Sequence, residues 1–437
     1  MTTPHPSAVF TIRGARVLTM SVREWSPDAA LRPARGAAMD DLGVLERADV
    51  TVDPARGLIL DVRPASAGGK AGRGKAADAD IEAHGRVLMP GFVDCHTHAL
   101  WAGSRIDEWE MKLRGATYQE IAAKGGGILS TVRAVQNASD AALDEALRSR
   151  LQSMLALGTT TVEVKSGYGL SMQHELRMLR AIARVRATAA QTIVPTALLG
   201  HAIDPDPPRE QFVESTIRET LPAVAREFPG VTVDAFCEQG AWTLDETVRL
   251  FEAAKRLGCP VRVHADQFTS MGMVERAISL GARSVDHLEA STDEDLRRLA
   301  ASGTFGVALP CCGFHLDGRY ARAGRLAREG GAVCIATNCN PGSAPCASMP
   351  MAIALAVRHG GLTPAQAIVA ATRNPAALLG FSDRGFIAPL ARADLLVLNT
   401  ADERTLAYEF GTNLVERVWT AGKPHDAGAG ARPLPGA

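Results

Sequence analysis

The 437-residue sequence has no long apolar run and almost no net charge. No stretch approaches the ~18 consecutive apolar residues that a membrane-spanning helix needs, so the sequence predicts no such helix. The 47 Lys and Arg residues nearly balance the 48 Asp and Glu residues, which leaves a formal net charge of -1. This balance gives no reason to expect nucleic acid or a membrane surface as a partner.

Two further features are missing, a signal peptide and a disulfide framework. The amino-terminal stretch MTTPHPSAVF lacks a basic segment followed by an apolar core. The eight cysteines are scattered along the chain, and the adjacent Cys311 and Cys312 could not pair with each other without strain. We therefore predict a protein of the reducing cytoplasm.

The alternation of apolar strands with amphipathic helices predicts the fold. Eight such strands can be counted between residues 86 and 384, and eight parallel strands close a (β/α)8 barrel. Residues 1–85 and 385–437 carry short β runs broken by turns. We therefore predict an α/β protein with a TIM-like (β/α)8 barrel over residues 86–384. The two ends of the chain are expected to build one small β-sandwich domain.

Histidines follow several of the predicted barrel strands. A first strand over residues 87–93 leads into His96 and His98, which point to the same side if the strand conformation continues. His201, His264 and His287 lie at or shortly after the ends of later strands. Active sites of parallel barrels lie at the carboxyl ends of the strands, and neutral imidazoles are common metal ligands. The pattern predicts a metal-dependent enzyme.

Six longer motifs add a family resemblance. They are GATYQEIAAKGGGILSTVRA (115–134), TTTVEVKSGYGL (159–170), VDAFCEQGA (233–241), HADQF (264–268), DHLEA (286–290) and CNPGS (339–343). Together they resemble the imidazolonepropionase family of the amidohydrolase superfamily. The resemblance extends from about residue 86 into the C-terminal β segment. It implies hydrolysis of a cyclic amide, the opening of 4-imidazolone-5-propanoate to N-formimidoyl-L-glutamate in the third step of histidine degradation.

The resemblance also implies a metal centre and an assembly. It places one divalent metal on His96, His98 and His264, with residue 338 beside it. Zinc and iron both stay open, because three imidazoles suit either ion. The family further suggests a homodimer that acts on a small molecule.

Seven residues are implied to bind the substrate. They are Arg105, Tyr168, His201, Gln267, Asn340, Gly342 and Ser343. The Arg105 guanidinium and the Tyr168 hydroxyl suit the propionate carboxylate. Gln267 is expected to orient the ring or the water. His287 is expected to stabilise the developing negative charge or to pass a proton.

The sequence departs from the family at the final barrel strand. The family motif is ATDCNPG, whereas this chain has Asn338 where the Asp stands. An amide can offer its oxygen to a metal but is not a base, and losing a positioned base typically lowers the rate by ~10²–10⁴-fold. Three interpretations stay open: a change that traps substrate, a natural variant whose base is His287 or Asp266, or a catalytically inactive ligand-binding relative.

A second departure is the stretch PCCGFH at residues 310–315, where the family is usually apolar and aromatic. We expect a loop that lines the mouth of the barrel, and a soft-metal trio that includes His315 is the alternative. A changed loop here would favour an amidohydrolase acting on another small cyclic amide or aminated heterocycle.

Overall fold

The fold is taken from a computed structural model that describes residues 8–21, 31–65, 80–116 and 125–426. Residues 117–124 of the first long motif lie outside these ranges. The strands of the described residues, β1 to β16 in chain order, are Phe10–Leu18, Val44–Asp53, Leu58–Pro64, Ile81–Glu82, Val87–Pro90, Phe92–Asp94, Thr159–Lys165, Thr192–Gly200, Thr232–Cys237, Val261–Ala265, Ser284–His287, Phe305–Ala308, Val333–Ile335, Leu395–Leu398, Val415–Thr420 and Lys423–Asp426.

Strands β6 to β13 form the predicted barrel. Each strand pairs in parallel with the next one along the chain, so the eight strands follow one another in chain order around the sheet. Their side chains are buried almost throughout, as expected for strands covered by helices on one side and by the barrel interior on the other. The predicted barrel fold is confirmed.

Helices occupy the connections between the barrel strands. The α-helices of the described residues are Ile106–Leu113, Ile128–Asn137, Asp140–Ala156, Met172–Arg186, Arg209–Ser215, Leu221–Glu227, Leu244–Arg256, Met273–Ser279, Asp293–Ala300, Pro310–His315, Ala323–Arg328, Met349–Arg358, Pro364–Ala370, Arg373–Leu378 and Thr405–Tyr408. The helices from Met349 onwards follow the last barrel strand, and Thr405–Tyr408 lies between β14 and β15. A π-helical turn, Thr216–Thr220, joins two of them into one continuous helix. Among these helices, none has the length and apolar character that crossing a membrane requires.

Local sequence explains where several helices begin. Thr243 and Thr292 each accept a hydrogen bond from the backbone N–H three residues later, and the carboxylates of Glu246 and Asp295 accept one from the N–H of the capping threonine. Such a capping box satisfies N–H groups that the first helical turn leaves free. The two helices therefore begin directly after these threonines, at Leu244 and Asp293.

The strands of the two chain ends form a second sheet. Its order is β16-β15-β14-β5-β1-β2-β3, with β4 alongside β1. Strand β14 from the C-terminal segment pairs antiparallel with β5, and Phe10 of β1 stacks on Trp419 of β15 at 6.3 Å between ring centroids. The prediction that both ends of the chain build one small β domain is confirmed.

The predicted first strand over residues 87–93 is two strands in different sheets. Strand β5 belongs to the terminal sheet and β6 to the barrel, with Gly91 between them. A Cβ atom at Gly91 would lie 2.2 Å from Thr160 Oγ1 and 2.4 Å from its Cγ2. The chain passes from one sheet to the other at Gly91, where the backbone lies so close to Thr160 of β7 that no side chain would fit.

The stretch 310–315 is a short helix, so the prediction of a loop is wrong. The helix Pro310–His315 has its proline at the first helical position. Proline suits that position because its missing N–H would be unpaired there and its φ is already helical. His315 stacks on Trp109, with ring centroids 6.4 Å apart.

The barrel closes where its first and last strands end. Strands β6 and β13 are the two ends of the sheet order. Beyond them, the Asn338 backbone N–H donates to the His96 carbonyl at 3.1 Å, and the His98 N–H donates to the Cys339 carbonyl at 3.0 Å. These bonds bring the His96-Thr97-His98 segment and Asn338 side by side.

The close approach at Gly91 yields a stability prediction. Gly91→Ala should lower the free energy of unfolding by roughly 1–3 kcal/mol, because the new methyl group must displace Thr160 in a packed strand. Adding Thr160→Ala should restore part of the loss, since it removes the two closest atoms. Thermal unfolding would measure both changes.

Gly303→Ala is the matched control for this prediction. A Cβ atom at Gly303 meets nothing within 4 Å, and its φ is not positive. If Gly91→Ala and Gly303→Ala unfold at the same temperature, the packing argument is contradicted.

Candidate metal centre and active site

Three imidazoles meet at the carboxyl ends of the barrel strands. His96 and His98 follow β6, and His264 lies near the end of β10. All three are at most 3% exposed. One nitrogen of each lies within 4.8 Å of the others, and His264 Nε2 is 3.3 Å from His98 Nε2. The predicted ligands are therefore brought together, with their nitrogens close enough to share one ion.

Buried carboxylates set the orientation of two of these rings. His96 Nδ1 lies 2.6 Å from Asp286 Oδ2, and His264 Nδ1 lies 3.1 Å from Asp234 Oδ1. A carboxylate on Nδ1 fixes the tautomer and leaves Nε2 with a lone pair for a cation. Among the described residues, His96 Nε2 is buried without a hydrogen-bond partner.

The same carboxylates belong to a buried charge network. Lys165 Nζ lies 2.7 Å from Glu163 Oε1 and 2.8 Å from Asp234 Oδ2. Arg262 donates to Asp286 and, at 2.8 Å, to the carbonyl oxygen of Cys95. The three carboxylates, when ionised, exceed the two cations by one negative charge, which favours a bound cation at the histidines that they hold.

The three imidazoles are held in their neutral form. Burial lowers the pKa of His96, His98 and His264 well below the usual value, and the positive charge of Lys165 adds to the effect. Neutral imidazole is the form that binds a metal ion, because a protonated nitrogen has no lone pair to give.

Asn338 completes the ring of polar groups. Its φ is 56°, a left-handed conformation that Asn adopts more readily than most residues. Its side-chain Oδ1 is buried and, within the described part of the chain, without a hydrogen-bond partner. Asn338 and His96 are also joined through their backbones at 3.1 Å, and an unpaired amide oxygen together with an unpaired His96 Nε2 is a donor set that a divalent cation would satisfy.

One cavity of about 540 Å³ connects these groups to the predicted substrate residues. His98, His264, His287 and Asn338 line it. So do all seven predicted substrate residues, Arg105, Tyr168, His201, Gln267, Asn340, Gly342 and Ser343. Residues from six separate motifs of the sequence therefore face one space.

Arg105 is fixed by a neighbour that the sequence reasoning missed. Its Nε donates to Glu108 Oε2 at 2.9 Å, its Nη2 donates to Oε1, and Glu108 also accepts from the Gly127 N–H at 2.8 Å. A Cβ at Gly342 would lie 2.2 Å from Arg105 Nη1. The guanidinium thus packs on bare backbone, and the i,i+3 spacing of Arg105 and Glu108 was the available signal.

Asn340 is engaged inside its own turn. Its Oδ1 accepts the N–H groups of Gly342 and Ser343 at 2.9 and 2.8 Å, and its Nδ2 donates to the Asn338 carbonyl at 2.6 Å. A contact of Asn340 with the substrate ring would require some of these bonds to be exchanged. In this structure the residue shapes the turn that carries Gly342 and Ser343.

Two aromatic side chains flank the imidazole cluster. His201 stacks on His98 with centroids 4.9 Å apart, and Tyr168 lies 5.0 Å from His201. Burial lowers the pKa of His201 to about 4, and burial raises the pKa of Tyr168 well above its usual value. Both groups are neutral at ordinary pH. The Tyr168 hydroxyl can donate a hydrogen bond to an anionic ligand, whereas His201 Nδ1 donates to the Gly167 carbonyl at 3.0 Å, which leaves its Nε2 as an acceptor.

His287 lies next to the imidazole cluster, with its ring centroid 5.6 Å from that of His264 and 6.0 Å from that of His96. Its Nδ1 is 3.2 Å from Glu289 Oε1. Burial alone lowers the pKa of His287, but the charge of Glu289 and a hydrogen bond with Cys312 outweigh it and raise the pKa to about 10. Asp266, the alternative base, accepts a hydrogen bond from Ser291 Oγ at 2.8 Å. It is not among the described residues that line this cavity.

Comparisons with known proteins agree with this architecture. Residues 87–424 match the amidohydrolase family, so the barrel with its histidine cluster is of the amidohydrolase class. A 5-methylcytosine deaminase from Klebsiella pneumoniae has the same fold, with a TM-score of 0.70 and 19% identity over 95% of this chain and 97% of that one. An adenosine deaminase from Xanthomonas campestris, solved with bound Zn, has a TM-score of 0.60 and 19% identity over 97% of this chain and 93% of that one.

Closer relatives place the chain within that class. Imidazolonepropionase from Deinococcus radiodurans is 46% identical over 89% of this chain and 95% of its own length. Imidazolonepropionase from Herpetosiphon aurantiacus is 43% identical over 96% of this chain and 97% of its own length. The chain belongs to the imidazolonepropionase family. Membership in the amidohydrolase class implies a divalent metal, and the three imidazoles fit one.

The histidine cluster yields a prediction about metal content. His264→Ala should remove the tightly bound equivalent of metal, because one of three imidazole ligands is lost. We expect the affinity to fall by more than the roughly 10–100-fold that loss of a supporting group costs. Elemental analysis after dialysis against a chelator would measure it.

His359→Ala is the matched control for metal content. His359 is exposed and stacks on Tyr320 with centroids 4.3 Å apart. Full metal content in the His264→Ala variant would refute the ligand assignment.

Proposed function

We propose that this chain hydrolyses 4-imidazolone-5-propanoate to N-formimidoyl-L-glutamate. The observation that carries the proposal is the cavity that His98 and His264 of the histidine cluster line together with all seven expected substrate residues. The identity to relatives named imidazolonepropionase supports the choice of substrate. We further propose that the chain acts as a homodimer on this small molecule alone.

Arg105 is the group that we assign to the propionate. Its charge is fixed in place by Glu108, so little rotamer freedom is lost when a carboxylate binds. The buried Tyr168 hydroxyl adds a hydrogen-bond donor near Arg105 and the imidazoles, and the neutral His201 ring offers its Nε2 as an acceptor. The ring of the substrate would then lie over His98 and His264.

A single catalytic metal, zinc or iron, would be held by His96, His98 and His264, with Asn338 offering its Oδ1. When bound, such an ion supplies a Lewis acid that polarises the ring carbonyl and lowers the pKa of a water molecule towards ~7. Asp234 and Asp286 keep two imidazoles turned towards the ion.

The reaction adds a water oxygen to the ring carbonyl carbon and breaks the C–N bond of the ring. We assign His287 to the charge that develops on the carbonyl oxygen and to the proton that the leaving nitrogen needs. Glu289 holds that imidazole from behind. These assignments leave the proton of the attacking water without a base, since Asn338 accepts none.

The missing base yields the central prediction. With equal metal loading, Asn338→Asp should hydrolyse the imidazolone faster than the unaltered chain by ~10²–10⁴-fold, because a carboxylate can take the water's proton. Steady-state turnover of the two forms, measured side by side, tests this.

Other outcomes of the turnover measurement would contradict different parts of the proposal. Equal rates would mean that the base is another residue, with His287 the first to replace. No turnover by either form, with metal bound, would refute the substrate, and a panel of small cyclic amides and aminated heterocycles would then be tested. Tight binding of the imidazolone without turnover by either form would favour an inactive ligand-binding relative.

Recognition of the propionate yields a prediction about specificity. In the Asn338→Asp background, Arg105→Lys should raise KM by roughly 10–150-fold, because hydrogen bonds to charged groups contribute about 1.5–3 kcal/mol. The effect should vanish for an imidazolone without the carboxylate. Steady-state kinetics with both compounds would test it.

Arg114→Lys is the matched control, since Arg114 follows the same helix and pairs with the exposed Glu110. An equal rise in KM for the carboxylate-free compound would show that Arg105 acts on the fold of the site rather than on the propionate.

A further inference from the structure

A second group of potential metal ligands includes His287, which lines the cavity. His287, Glu289 and Cys312 each offer one ligand atom, and these atoms lie within 4.8 Å of one another. The side chains of His287 and Glu289 are 3% and 4% exposed, and Cys312 is 2% exposed. This group shares no residue with the three-imidazole cluster.

Glu289 carries an atom that the protein leaves unsatisfied. Its Oε1 faces His287 Nδ1, but its Oε2 is buried and, within the described residues, has no hydrogen-bond partner. A buried carboxylate oxygen without a partner is costly, and such atoms often mark a ligand or ion. A cation among these three side chains would supply the missing partner.

The spacing suits a tetrahedral ion. Ligand bonds of about 2.0–2.3 Å to zinc place neighbouring ligand atoms roughly 3.2–3.7 Å apart. His287 Nδ1 and Glu289 Oε1 are 3.2 Å apart. The Gln267 amide lies 3.3 Å from Cys312 Sγ, and its oxygen would reach the fourth position if the amide turned over.

We propose that His287, Glu289 and Cys312 form a second divalent-cation site, selective for ions of the zinc type. Thiolate, imidazole and carboxylate together select borderline-soft ions such as zinc over magnesium and calcium. Coordination replaces the thiol proton of Cys312 and the Nδ1 proton that His287 shares with Glu289, and both protons pass to solvent. An ion here occupies His287, so within the proposed function it inhibits hydrolysis.

Cobalt distinguishes the two sites without any substrate. Titration of the metal-free chain with Co²⁺ should fill the three-imidazole site without a thiolate signal. The second equivalent should then add a near-ultraviolet charge-transfer band, which requires a sulfur ligand. We expect the band to be absent from Cys312→Ala and to need several-fold more Co²⁺ in Glu289→Gln.

Cys311→Ala is the matched control. Cys311 is the next residue in the same short helix and is equally buried, but its thiol contacts Cys346. This variant should keep the band. Retention of the first cobalt equivalent by every variant would establish that each is folded.

The outcomes separate the site from the proposed function. No band in the unaltered chain, or a band that survives Cys312→Ala, would overturn the second site whatever the turnover results. In the Asn338→Asp form, turnover should fall as zinc binds beyond the first equivalent and should resist zinc after Cys312→Ala. A band without this inhibition would overturn the inhibitory role alone.

Discussion

The buried charge network beneath the histidines is the interaction on which the rest of the site depends. Glu163, Lys165, Asp234, Arg262 and Asp286 sit inside the barrel with little or no exposure, and each relies on the others for its counter-charge. Breaking one partner of a buried pair commonly costs 3–5 kcal/mol, because it strands a charge. Two of these carboxylates also hold imidazole rings. The contacts that stabilise the barrel interior are therefore the same contacts that orient the expected metal ligands.

Asn338 shows how the chemistry of this site can change without the fold. Its backbone N–H ties the last barrel strand to the His96 carbonyl, and its positive φ suits Asn and Asp alike. The side chain contributes to neither of these backbone features. Replacing a carboxylate by an amide there removes one negative charge and one proton acceptor, while the strand ends stay joined.

The sequence was sufficient to predict the barrel and the histidine cluster, because strand periodicity and the i,i+2 spacing are local signals. It was insufficient for contacts that depend on strand register. In the sequence, Asp234 and Asp286 are ordinary members of family motifs. Only the pairing of the barrel strands shows that they contact His264 and His96. The apolar run over residues 87–93 looks continuous, and only the contact of Gly91 with Thr160 divides it between two sheets.

The position of β5 has a consequence for how the protein matures during synthesis. Strand β5 precedes β6 and the first two imidazoles by a few residues, yet it pairs with β14, made from residues 395–398. The Gly91 N–H also donates to the Asp394 carbonyl at 2.9 Å. Nearly the whole chain must therefore be synthesised before the segment that carries His96 and His98 is held in place on both sides. The placing of these two imidazoles is therefore completed late, after β14 has been synthesised.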